Sequence, residues 1–119
     1  MQQLRASQVA DWARQHADTV PGQRPLVMDV REAWELQTSA LPAPTEADGY
    51  EVVHMPMRTV PARYLELDKA QPIACLCHHG ARSLQVAHFL EQNGFTHVVN
   101  IQGGINAWAL EHDSRVPLY

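Results

Sequence analysis

The six residues PIACLC (72–77) are apolar throughout and run directly into HHGARS. A run this short cannot make a buried helix, so it reads as a strand covered on both faces. PLVMDV (25–30) is a second short apolar run of this kind, and YEVVHM (50–55) and HVVNI (97–101) are further strand candidates. Helical stretches lie between and after them: REAWELQ (31–37), TVPARYLEL (59–67) with Pro61 in its first turn, 82–93 closed by Gly94, and GGINAWALEH (103–112). Near the N-terminus, Ser7 is placed to cap a helix through Val9, Ala10, Trp12 and Ala13 to about His16, ahead of a turn at Pro21-Gly22. TSALPAPTEADGY (38–50) is rich in turn formers, lacks periodicity, and reads as an exposed loop. Strands alternating with helices at this spacing need right-handed crossovers, hence a mainly parallel sheet with helices on both faces. The predicted fold class is α/β.

At 119 residues the chain is expected to form a single domain, 1–119. A formal net charge of −4 offers no basic face, which argues against nucleic acid or an anionic membrane as partner. The opening MQQLRASQVADWARQH has no apolar leader core, and no run reaches membrane-spanning length. Its two cysteines, Cys75 and Cys77, are too close in sequence to staple a secreted fold. A soluble, cytoplasmic protein in a reducing compartment is the expectation.

In parallel α/β folds, ligands sit beyond the carboxyl ends of strands, where loops lead into helices. Cys77 occupies such a position. A thiol ordinarily titrates at roughly 8.5, and helix N-termini or cations stabilise its thiolate. Gly80 lets the backbone bend back and Arg82 adds a fixed positive charge, so the loop should cradle an anion or an anionic sulfur substituent. Such a thiolate can attack an electrophile and carry a covalent intermediate.

CHHGARS (77–83) resembles the active-site loop of the rhodanese (sulfurtransferase) family. DVREAWEL (29–36) and NIQGGINAW (100–108) resemble two further blocks of that family, in the same order and at similar spacing. The resemblance implies a rhodanese-like three-layer fold around a five-stranded, mainly parallel sheet. It also implies transfer of a sulfane sulfur from thiosulfate or a related donor, by way of a persulfide, to cyanide or a thiol. No metal or organic cofactor is implied. Carried over, Cys77 is the nucleophile, and the amides of His78, His79, Gly80, Ala81, Arg82 and Ser83 ring the outer sulfur. Arg82 supports the loop and favours anionic groups. Asp29 and Arg31 form ion pairs that support the loop, and Gly103, Gly104 and Trp108 are structural. A turn of the form His-Ile-Pro-Gly-Ala that many members carry is replaced here by loop 38–50, followed by HMPM (54–57).

Other readings compete. Cys77 as an inert buried cysteine accounts for neither the Gly nor the Arg-Ser that follow. Cys75 falls inside the strand and reads as a packing residue, with a resolving thiol as the alternative. His78 and His79 either tune the loop's potential or are solvated loop residues; His54, His88 and His97 lack ligand spacing. A zinc site would need a second Cys/His pair at short spacing, which is missing. Cysteine phosphatases share the thiolate, the loop of amides and the Arg, but place five residues between Cys and Arg. Only four stand between Cys77 and Arg82, a cradle better sized for one sulfur than for phosphate. A persulfide carrier or docking module for a specific partner protein needs the same Cys77, and turnover with small acceptors would separate the two.

Overall fold

A computed structural model describes all 119 residues. Five strands form one parallel sheet: β1 (Gln3–Leu4), β2 (Leu26–Asp29), β3 (Glu51–His54), β4 (Ile73–Leu76) and β5 (Val98–Ile101), in the order β1-β5-β4-β2-β3. The helices are α1 (Val9–Gln15), α2 (Ala33–Thr38), α3 (Val60–Arg63), α4 (Ala81–Gln92) and α5 (Gly104–Glu111). The α/β reading and the five-stranded sheet therefore hold.

Strand alternation builds two cores. Val27, Ala74, Leu76, Val99 and Ile101 point to one face, where Val9 and Trp12 of α1 and Ile105 and Trp108 of α5 cover them. Met28, Ile73 and Cys75 point to the other, against Val60 of α3 and Val86 and Leu90 of α4. Both faces being covered explains why the runs look apolar throughout instead of alternating. The central strand β4 thus carries Cys77 to the carboxyl edge of the sheet from a fully packed position.

The structure corrects several expectations. The fifth strand, β1, spans only two residues and has no apolar run to announce it. It is a strand because its flanks pair with β5: the Asn100 amide donates to Gln2 O and the Gln102 amide to Leu4 O. Ser7 does not cap α1. A 3₁₀ turn at Ala6–Gln8 precedes the helix, and its lead-in is tied by the Arg5 amide donating to Gln8 Oε1 at 2.8 Å. The stretch 59–67 is not one helix but α3 between two 3₁₀ turns, Met57–Thr59 and Tyr64–Glu66. Loop 38–50 is exposed only in part: Ser39 and Tyr50 are buried, and Leu41 packs on the core beneath α5. Helix α4 begins one residue before Arg82, at Ala81.

Candidate active site

Cys77 follows directly on β4 and is 1% exposed. Its Sγ accepts hydrogen bonds from the Gly80 amide at 3.0 Å and the Ser83 hydroxyl at 3.2 Å, both of which stabilise negative charge on sulfur. Gly80 makes the reversal possible with φ of +109°, a conformation that costs a side-chain-bearing residue. The amides of His78, His79, Ala81, Arg82 and Ser83 find no acceptor in the protein. Unfilled donors at the start of a twelve-residue helix make a site for an anionic or sulfur group. Of the six loop amides, only that of Gly80 reaches the sulfur itself.

The loop is held from behind by the 100–108 block. The Ile105 and Asn106 amides donate to Cys77 O at 2.8 Å and His78 O at 3.0 Å. Asn100 Nδ2 donates to Gly80 O at 3.1 Å, and the Ser83 hydroxyl oxygen lies 3.2 Å from the same carbonyl, the alternative acceptor for its one proton. Gly104 must approach so closely that a Cβ there would lie 2.4 Å from Cys77 O and from His78 O.

Arg82 does not project a free charge toward Cys77. Its guanidinium makes a two-pronged pair with Glu35 on α2, 2.8 Å on each side, and Glu35 is 3% exposed. The Arg82 guanidinium, aided by the Glu32 amide and the Tyr119 hydroxyl, outweighs burial and holds the Glu35 carboxyl down at about 2. Arg31, wholly buried, pairs with Asp29 at 2.7 Å and donates from Nη1 to Ser39 O at 2.8 Å. The Arg31 carbonyl is 2.7 Å from His54 Nε2. Asp29 and Arg31 therefore bond chiefly to each other; their route to the loop runs through a residue the sequence did not single out.

That residue is Tyr119. Its hydroxyl accepts from Arg31 Nη1 at 3.0 Å and donates to Glu35 Oε1 at 2.9 Å. Its ring stacks on His78 with centroids 3.8 Å apart and planes within 5°, and its main-chain oxygen lies 2.9 Å from His78 Nε2. A chain of contacts thus runs Asp29–Arg31–Tyr119–Glu35–Arg82. Glu35 lay within the DVREAWEL block and was available as a candidate; nothing in the sequence marks Tyr119. The His78 ring also lies against the more exposed His79, centroids 3.9 Å apart and planes tilted by 30°, and burial with the neighbouring imidazole lowers the His78 pKa. Cys75 is wholly buried, and burial together with nearby Cys77 pushes its thiol up to about 12, as suits a packing residue.

Comparison with known proteins agrees with this architecture. The model of the rhodanese-like domain family matches residues 9–111. A sulfurtransferase of Allochromatium vinosum is 33% identical over 84 residues, covering 71% of each chain. The thiosulfate sulfurtransferase GlpE of Coxiella burnetii is 30% identical over 90 residues, covering 68% of this chain and 84% of that protein. Among solved structures, a rhodanese-related protein of Thermoplasma volcanium superposes with a TM-score of 0.72 at 24% identity, over the whole of both chains. With the cysteine loop, the parallel sheet and a family match over most of its length, the chain belongs to the rhodanese-like family.

Proposed function

We propose that the chain is a sulfurtransferase that works through a persulfide on Cys77. The observation that carries this reading is one sulfur at the floor of a loop whose remaining amides have no other acceptor. In the first half-reaction the Cys77 thiolate attacks the outer sulfur of a donor such as thiosulfate. The Sγ–S bond forms, the donor's S–S bond breaks, and sulfite leaves with the electron pair. In the second, cyanide or a thiolate attacks the outer sulfur and Cys77 departs as thiolate, a double displacement. The Gly80 amide and the Ser83 hydroxyl hold charge on Sγ, and the free amides of His78, His79, Ala81, Arg82 and Ser83 receive the outer sulfur. Asp29 and Arg31 are positioning residues that act through Tyr119.

Phosphoryl transfer fits the same geometry poorly. A phosphatase arginine must grip the phosphate, whereas both prongs of Arg82 are taken by Glu35. The reducing cytoplasm suits a reactive Cys77, and both cysteines are free.

Intact mass spectrometry tests the mechanism. Reduced protein treated with thiosulfate or an organic persulfide is expected to gain one sulfur, and cyanide to remove it as thiocyanate. Cys77→Ser is expected to fold and gain none. Sulfur uptake by Cys77→Ser would overturn the assignment of the nucleophile.

A further inference from the structure

We infer that Asn100 is a positioning residue for the sulfur chemistry: it fills the carbonyl that competes for the Ser83 proton, and so directs that proton to Cys77 Sγ. This rests on the Cys77 reading above and concerns how the thiolate of that site is held.

Ser83 is wholly buried, and its hydroxyl has one proton to give. Two acceptors stand at the same distance, 3.2 Å: Cys77 Sγ and Gly80 O. The bond to Gly80 O is the ordinary one for a serine in a first helical turn, reaching back three residues to a main-chain carbonyl. Were the proton to go there, Sγ would keep only the Gly80 amide. Nothing in Ser83 itself decides between the two.

The carbonyl, however, is already full. A carbonyl oxygen offers two lone pairs. The Leu84 amide takes one at 3.2 Å, closing the first turn of α4, and Asn100 Nδ2 takes the other at 3.1 Å. Asn100 reaches across from β5 and is 1% exposed. The same Nδ2 donates to Gln3 Oε1 on β1 at 3.1 Å, which fixes the plane of the amide. Exchanging the two ends of that amide would set Oδ1 against two oxygens, so the donor must face Gly80. Asn100 Oδ1, by contrast, has no partner. An unsatisfied buried acceptor costs free energy, so what the position offers the fold is the donor alone.

With Gly80 O occupied, the Ser83 proton is left to sulfur. Sγ carries negative charge twice in the cycle, as the attacking thiolate and again as the thiolate that departs. Asn100 acts on both moments through Ser83, without touching the reacting atoms.

The test follows the ultraviolet thiolate absorbance of Cys77 against pH, with Cys77→Ser as the blank. Cys75, pushed up to about 12, stays silent over the range that matters. The proteins compared are the wild type, Asn100→Leu, Ser83→Ala and the double variant. Asn100→Leu keeps nearly the same volume and removes only the donor and the unpartnered acceptor. In each single variant the midpoint is expected to rise by about half to one pH unit, the reach of one hydrogen bond to sulfur. The double variant is expected to match Ser83→Ala, because without the hydroxyl Asn100 has nothing to direct. Asn100→Ala, which can only underfill the site, carries the same comparison if Asn100→Leu does not fold. An unmoved midpoint in a folded Asn100 variant overturns the inference. Additive shifts in the double variant overturn it too, since Asn100 would then reach the sulfur by another route. The titration involves no sulfur transfer, so a wild type that gains no sulfur by mass overturns the persulfide mechanism separately.

Discussion

Cys77 Sγ is served by a single backbone amide and a single hydroxyl, so each donor should be visible in kinetics. Ser83→Ala removes one and is expected to slow persulfide formation by up to about tenfold, the worth of one hydrogen bond, in single-turnover loading. Tyr119→Phe keeps the ring stacked on His78 but removes one of the acceptors of Arg31 Nη1, which keeps Ser39 O, and removes a donor from Glu35. A loss of about 1–2 kcal/mol in urea unfolding is expected, with Tyr119→Leu worse because the stack goes as well. Glu35 should dominate acid sensitivity. Its carboxyl ordinarily titrates at 4.5 and is held down at about 2, so it adds stability above the ordinary value and loses it as pH falls toward the lower one. Between those limits the wild type should lose up to about 3 kcal/mol that Glu35→Gln does not lose. A parallel decline in the two proteins would remove Glu35 as the source. At this scale the sequence was uneven. Cys77 and its loop stood out because Gly80 and Arg82-Ser83 have few other reasons to follow a buried strand. The partner of Arg82 is not legible beside it, because Glu35 is 47 residues away and only the fold brings the two together.

Helix α5 does more than cover the sheet. Its first turn supplies the Ile105 and Asn106 amides to the cysteine loop's carbonyls, so two helices and a strand meet around one peptide segment. Gly104 is the tightest point, with φ of +59° and no room for a methyl group against Cys77 O and His78 O. Gly104→Ala should therefore cost about 3 kcal/mol or more and disorder the loop, lowering both the melting temperature and persulfide loading. An unchanged melting temperature would show that the loop can step away from α5. The Gly-Gly pair was legible as a structural block, but its purpose was not, because backbone donors carry no side-chain mark. Helix α1 was legible by its apolar spacing while its start was not, since Ser7 is exposed and the 3₁₀ turn depends on Gln8.

The whole sheet is graded from centre to edge. β4 pairs on both sides, with β2 and β5, whereas β1 has one neighbour and two residues of contact. Hydrogen exchange should be slowest in β4 and β2 and fastest among the strands in β1, which is expected to open without global unfolding. Equal protection of β1 and β4 would indicate that the edge opens only with the core. β2, β4 and β5 were readable because each is a mostly apolar run buried at every position, and β3, a half-buried edge strand, because Val52 and Val53 mark it; β1 was not, because its pairing with β5 is fixed by the mature sheet and not by its own residues. The closing segment was the least readable of all. Val116 is buried, Ser39 donates to Pro117 O at 2.6 Å, and Tyr119 ends against the loop, contacts that span some eighty residues of chain. Since the main chain of Tyr119 lies against His78, any polypeptide joined after it would emerge at the mouth of the sulfur site. A domain fused there on a short flexible tether would face Cys77 at millimolar effective concentration, making this end the natural place to couple an acceptor protein and the wrong place for a bulky purification handle.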